Sequence, residues 1–127
     1  MIALDRFVNR VHVPRIMDLT GKQRRHLRAL GHNLDAIVHV GKGGITDGVV
    51  SAVNQALEDH ELIKVKVLEE SPLDRKEAAE ALAERCNAFM AQLLGRVVLL
   101  YRRHPDNPEI VLPGKPAGTA TVKAPHP

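Results

Sequence analysis

Helical and extended hydrophobic patterns alternate along this chain. Leu27 and Leu30, with Leu19 at the entry, mark the buried side of a helix running to about Leu30. Thr20 and Gln23 have the spacing of a capping box, in which each side chain accepts the other's backbone N–H, and Gly31 is a natural stop. Ala36 to Val40 is mostly apolar and reads as a first strand. Val49, Val50, Val53, Ala56 and Leu57 recur at the helical period and predict a helix from Asp47 to about His60. Leu62 to Leu68 alternates instead. Its Ile63, Val65 and Val67 face one way and Lys64 and Lys66 the other, so one side is packed and one wet. After the Ser71-Pro72 break, Ala78, Leu82, Cys86, Phe89 and Leu93 fall on one stripe, predicting a long helix from Asp74 to Leu94 that Gly95 ends. Val97 to Tyr101 is an apolar run at the centre of a third strand, Arg96 to Arg102. Ile110-Val111-Leu112 reads as a short fourth strand after a Pro105 to Pro108 turn.

The predicted order is αβαβαββ. Helices alternating with strands imply crossover connections and a largely parallel or mixed sheet of four strands. The wet side of the second strand further implies a two-layer α/β fold with its helices on one face. Residues 18–113 hold this pattern. Residues 114–127, rich in Pro, Gly, Ala and Thr, read as a disordered tail. Residues 1–17 form a leader outside the plan, and its apolar positions settle into no single period. Either Met17 is the true initiator and the upstream residues are not translated, or the leader is made and is disordered or a peripheral arm. A chain starting at Met17 is expected to keep the fold either way, because no core element is removed.

The chemistry concentrates at Val40-Gly41-Lys42-Gly43-Gly44-Ile45-Thr46. Three glycines in four positions leave backbone N–H groups unshielded, a lysine sits at the tip, and a helix N-terminus follows at Thr46. This arrangement favours an anion, above all a phosphate. Two familiar phosphate loops do not fit. A dinucleotide fingerprint would need glycine at position 46, which is Thr, and a P-loop would need Ser or Thr after Lys42, which is followed by Gly43. A ligand-free strand-to-helix turn is the plainer alternative.

A second feature is Lys22, Arg24, Arg25 and Arg28 on the first helix, with no acidic residue from Thr20 to Leu34. Like charges at three- and four-residue spacing repel, so an anionic partner would relieve them. The plainer alternative is a merely solvated face. Net charge is +3 and only 2% of residues are aromatic, which disfavours single-strand recognition by base stacking. The lone Cys86 excludes an internal disulfide and fits a reducing, cytoplasmic setting. The seven histidines show no metal-ligand spacing, and no nucleophile and base pair or carboxylate pair stands out. No cofactor, metal, membrane span or small-molecule substrate is expected, and no enzymatic activity.

Three blocks carry a resemblance. Met17-Asp18-Leu19-Thr20-Gly21-Lys22-Gln23-Arg24-Arg25-His26-Leu27-Arg28, Val40-Gly41-Lys42-Gly43-Gly44-Ile45-Thr46-Asp47-Gly48-Val49 and Gln55 to Val67 closely resemble the YhbY family of stand-alone bacterial CRM-domain RNA-binding proteins. Val98 to Arg102 and Ile110 to Pro113 match as well. The resemblance implies a fold similar to the C-terminal domain of translation initiation factor 3, association with precursors of the large ribosomal subunit, and a GxxG loop analogous to that of KH domains. That loop maps onto Gly41, Lys42, Gly43 and Gly44. The expectation is a monomeric cytoplasmic protein that binds ribosomal RNA through this loop and through Lys22, Arg24, Arg25 and Arg28, assisting large-subunit assembly. Thr46, Lys64 and Lys66 are weaker candidates for RNA contact. The competing reading is a protein-interaction module that docks on a ribosomal protein or an assembly factor.

Overall fold

A computed structural model describes residues 19–114. The leader and almost all of the tail lie outside the described residues. The order is α1 (Gly21–Gly31), β1 (Ala36–Val40), α2 (Asp47–His60), β2 (Leu62–Val67), α3 (Arg75–Arg85), β3 (Phe89–Leu94) and β4 (Val97–Tyr101). The strands form one mixed sheet in the order β1-β2-β4-β3, with β1 parallel to β2 and β4 antiparallel to both its neighbours. None of the described helices is long and apolar enough to cross a membrane.

The αβαβαββ order holds, but two of its parts are not where periodicity put them. The last helix ends at Arg85, not at Leu94, and Phe89–Leu94 is a strand. Asn87 causes the break. It adopts φ 53° just past the helix, where Asn is tolerated better than most side chains. Its N–H bonds to Glu84 O at 3.3 Å and Ala88 N–H to Ala83 O at 2.8 Å, the paired contacts of a Schellman stop. Gly95, at φ 61°, then opens the tight turn joining β3 to β4. Asn87→Gly is expected to keep or slightly raise stability in urea unfolding. Asn87→Ala is expected to lower it by about 1 kcal/mol, the cost of a Cβ in the left-handed region.

The second misplaced part is Ile110 to Leu112, which forms no strand. Its backbone is recruited by a side chain instead. The Glu61 carboxylate, only 4% exposed, accepts N–H bonds from Glu109 and Ile110, both at 2.9 Å, and from His104 at 2.7 Å. Ile110 and Leu112 then pack on the core as part of a strap over residues 102–113.

The helices do not share one face, which corrects the two-layer expectation. The steps from β1 to β2 and from β2 across β4 to β3 run in the same direction, so right-handed crossovers place α2 and α3 together. They bury Val53, Leu57, Ala79 and Leu82 against Ile63, Val65, Val98 and Leu100. Because α1 precedes β1 and belongs to no crossover, that rule leaves it free. It packs Leu27 against Leu62, Ala91, Leu99 and Tyr101, the alternate side chains of the same strands. The capping box forms as expected, with Gln23 N–H to Thr20 Oγ1 and Thr20 N–H to Gln23 Oε1, both 3.0 Å. Gln23 is itself buried, its amide donating to Pro113 O at 3.3 Å. Leu30, expected inside, is 45% exposed.

Candidate nucleic-acid interface

β1 delivers the chain to the glycine loop at one end of the sheet. Gly44 N–H donates to Gly41 O at 3.0 Å and Thr46 N–H to Gly44 O at 3.1 Å, closing a tight turn. Gly44 has φ 73°, and a Cβ there would stand 3.1 Å from Pro72 Cγ, so this position requires glycine. The turn lifts Lys42 and Gly43 to an exposed tip. Their two N–H groups meet no acceptor among the described residues, whereas the Gly44 amide is spent on the turn. Thr46 caps α2 by accepting Val49 N–H at 3.1 Å, so its oxygen serves the helix first. Arg85 of α3 braces the loop exit, donating to Ile45 O at 3.3 Å and approaching Asp47 at 3.4 Å.

Lys64 and Lys66 stand on the face that carries α1, beside it and not opposite it. Lys64 pairs with Leu99 and Lys66 with Val97, and these strand partners share the side that Leu27 covers. On β1, His39 is opposite Lys66 and Ala36 opposite Lys64. α1 packs on β2, β3 and β4, so among the described residues the β1 side of this face, with the adjoining part of β2, stays open, with His39 and Lys66 exposed. Neither lysine, nor Lys42, forms an ion pair among the described residues. In the sequence His39 stood only among the scattered histidines and not among the RNA candidates, although its place between Val38 and Val40 already marked it as pointing away from them. Ile37, at a register shift in β1, is 51% exposed on the same edge strand.

The α1 cations divide. Lys22 and Arg25 are exposed and Arg28 is half-buried. Arg24 donates to Leu19 O at 3.2 Å and lines a groove with Glu80 and Glu84 of α3, so its guanidinium is engaged within the protein. The loop end is not uniformly positive either. Glu69 and Glu70 follow β2 there, Glu69 facing Arg96 at 4.0 Å.

Away from this surface, burial pushes the Cys86 thiol upward despite nearby Arg102 and Arg85, which makes it an unreactive core group. Burial, with Glu61 adding to it, raises the Tyr101 phenol to about 12. No cluster of three or more metal-ligating side chains occurs among the described residues.

A family model, the CRS1/YhbY (CRM) domain, matches residues 19–102. The chain belongs to this family. Its CRM domain is 42% identical over 95 residues to probable RNA-binding protein YqeI of Bacillus subtilis, covering 75% of this chain and 99% of the relative. Probable RNA-binding protein PA4753 of Pseudomonas aeruginosa is 35% identical, over 70% of this chain and 86% of its own. The solution structure of protein SAV1595 from Staphylococcus aureus aligns with a TM-score of 0.65 at 45% identity, covering 75% of this chain and 99% of that one. The CRM match ends at Arg102, where the strap begins. That arginine ties three elements together, donating to Asn54 Oδ1 at 2.8 Å, to Asn54 O at 3.2 Å and to Cys86 O at 2.7 Å.

Proposed function

We propose that this CRM domain binds RNA in the cytoplasm, on ribosomal RNA of the large-subunit precursor, and assists assembly of that subunit. The observation that carries the reading is a run of basic side chains that begins at the glycine loop and follows the open half of the sheet. Lys42 and the two free amides of the Gly41 to Gly44 turn stand at one end, and Lys66, His39 and Lys64 continue along the open half of the sheet beside α1. Relatives over the whole domain carry the name probable RNA-binding protein. Among the described residues the same surface offers no Phe, Tyr or Trp, so phosphates and helical shape, more than stacked bases, are the natural target. Lys22, Arg25 and Arg28 extend the track along α1, and Arg24 contributes least because its guanidinium is already bonded.

Salt dependence tests the reading. Lys64→Ala and Lys66→Ala should each weaken binding alike across RNA sequences and lower the slope of log affinity against log salt by roughly 0.7 to 0.9. Arg25→Ala and Arg28→Ala should act similarly, whereas Arg24→Ala should leave the slope unchanged and cost stability. Unchanged slopes for all four expected contacts would mean that this face is merely solvated.

A further inference from the structure

The far edge of the sheet carries a second surface that the RNA reading does not use. Among the described residues β3 is an edge strand, with β4 on one side and no strand on the other. Its first residues form the floor of a groove of about 380 Å³ between α1 and α3, lined by Ala88, Phe89, Met90, Arg24, Glu80 and Glu84. Phe89 and Met90 are only half-buried, and Glu80 forms no ion pair among the described residues. An open strand edge with an apolar floor is a standing invitation to pairing or aggregation unless something covers it.

We propose that residues 1–18 of this same chain are the cover, lying in the groove along β3. Three observations point to them. Leu19, where the described chain begins, is 8% exposed and packed in the cluster that holds Phe89 and Ala91, and Arg24 of the groove holds its carbonyl. The described chain therefore begins beside the groove. Second, charge and polarity match. The leader supplies Arg6, Arg10 and Arg15 for Glu80, and Phe7, Val8, Val11 and Val13 for the apolar floor. Third, length suffices. An extended chain advances about 3.3 Å per residue, so roughly six residues run the length of a six-residue strand. A tethered segment also acts at an effective concentration of about a millimolar, which favours it over a second chain or a free basic peptide.

The test uses the full chain with Asn9→Cys carrying a nitroxide label, since Cys86 is 1% exposed and stays unlabelled. The amides of Glu80, Ala88, Phe89 and Met90 should lose most of their NMR intensity, while Lys42 and Gly43 keep theirs. Glu80→Lys should restore the lost signals. Intensity loss at the glycine loop, or nowhere, overturns the proposal. So does loss that passes only between labelled and isotope-enriched chains in a mixture, because a second copy would then cover the edge. A chain starting at Met17 whose β3 amides exchange no faster than in the full chain overturns it as well.

Discussion

Replacing Lys42 and Gly43 together with Asp lowers affinity for large-subunit ribosomal RNA by about a hundredfold or more, roughly 2.7 kcal/mol, and leaves the fold intact. The tip supplies an ammonium and two unengaged N–H groups. The double variant sets two carboxylates where phosphates would lie, and like charges brought together at an interface cost several kcal/mol. Stability should change little. Both residues are exposed, neither has the positive φ that Gly44 has, and the turn's own hydrogen bonds involve Gly41, Gly44 and Thr46. Titration of labelled RNA at fixed salt reads the affinity, and urea unfolding reads the fold. An affinity within about threefold of the parent, well under 1 kcal/mol, removes the loop from the binding site.

The second large effect is on stability and leaves the RNA surface alone. Glu61→Ala should cost about 3 kcal/mol in urea unfolding, because three backbone N–H groups lose a charged acceptor inside a nearly closed site. The full sum of three such bonds overstates the loss, since the freed strap can turn to water. Glu61→Gln should fall between. It keeps one oxygen for Glu109 and Ile110 but sets an amide NH2 against the His104 N–H, for about 1 to 2 kcal/mol. Below the unfolding transition both variants should bind RNA as the parent does. A loss under about 0.5 kcal/mol in Glu61→Ala would show that the strap contributes nothing to the fold.

Much of this architecture was legible in the residues. The Thr20 and Gln23 box and the helix opening at Thr46 are local signals that local hydrogen bonds realise, and the alternation of Lys64 and Lys66 reappears in the burial pattern of β2. The errors arose where local signals compete. Ala78, Leu82, Cys86, Phe89 and Leu93 have helical spacing, yet Phe89 and Ala91 serve one face of a strand while Met90 and Leu93 serve the other. Asn87 and the Gly95-Arg96 pair were the stop and turn signals that outweighed the stripe. Ile110 to Leu112 has strand-like composition, but its N–H groups found a carboxylate that lies 48 and 49 residues away along the chain. Periodicity has no access to such a partner.

The site was legible in part for the same reason. Glycines and a lysine in one loop declare themselves in sequence. Which face α1 takes does not, because only its place outside the two crossovers frees it to cross over. The weight given to Lys64 and Lys66 and to Arg24 follows from that one fact. It sets the two lysines beside the helix, and Arg24 lies at the groove toward β3 and α3.

The central claim is that ribosomal RNA lies on the glycine loop and the open half of the sheet. Photo-crosslinking in cells, with both the peptide and the nucleotide identified at each crosslink, tests it most directly. Crosslinks should fall within residues 37–46 and 64–66 and on the Lys22, Arg25 and Arg28 side of α1, on RNA of the large-subunit precursor. Crosslinks concentrated on α2 and α3, or RNA other than ribosomal, would contradict it.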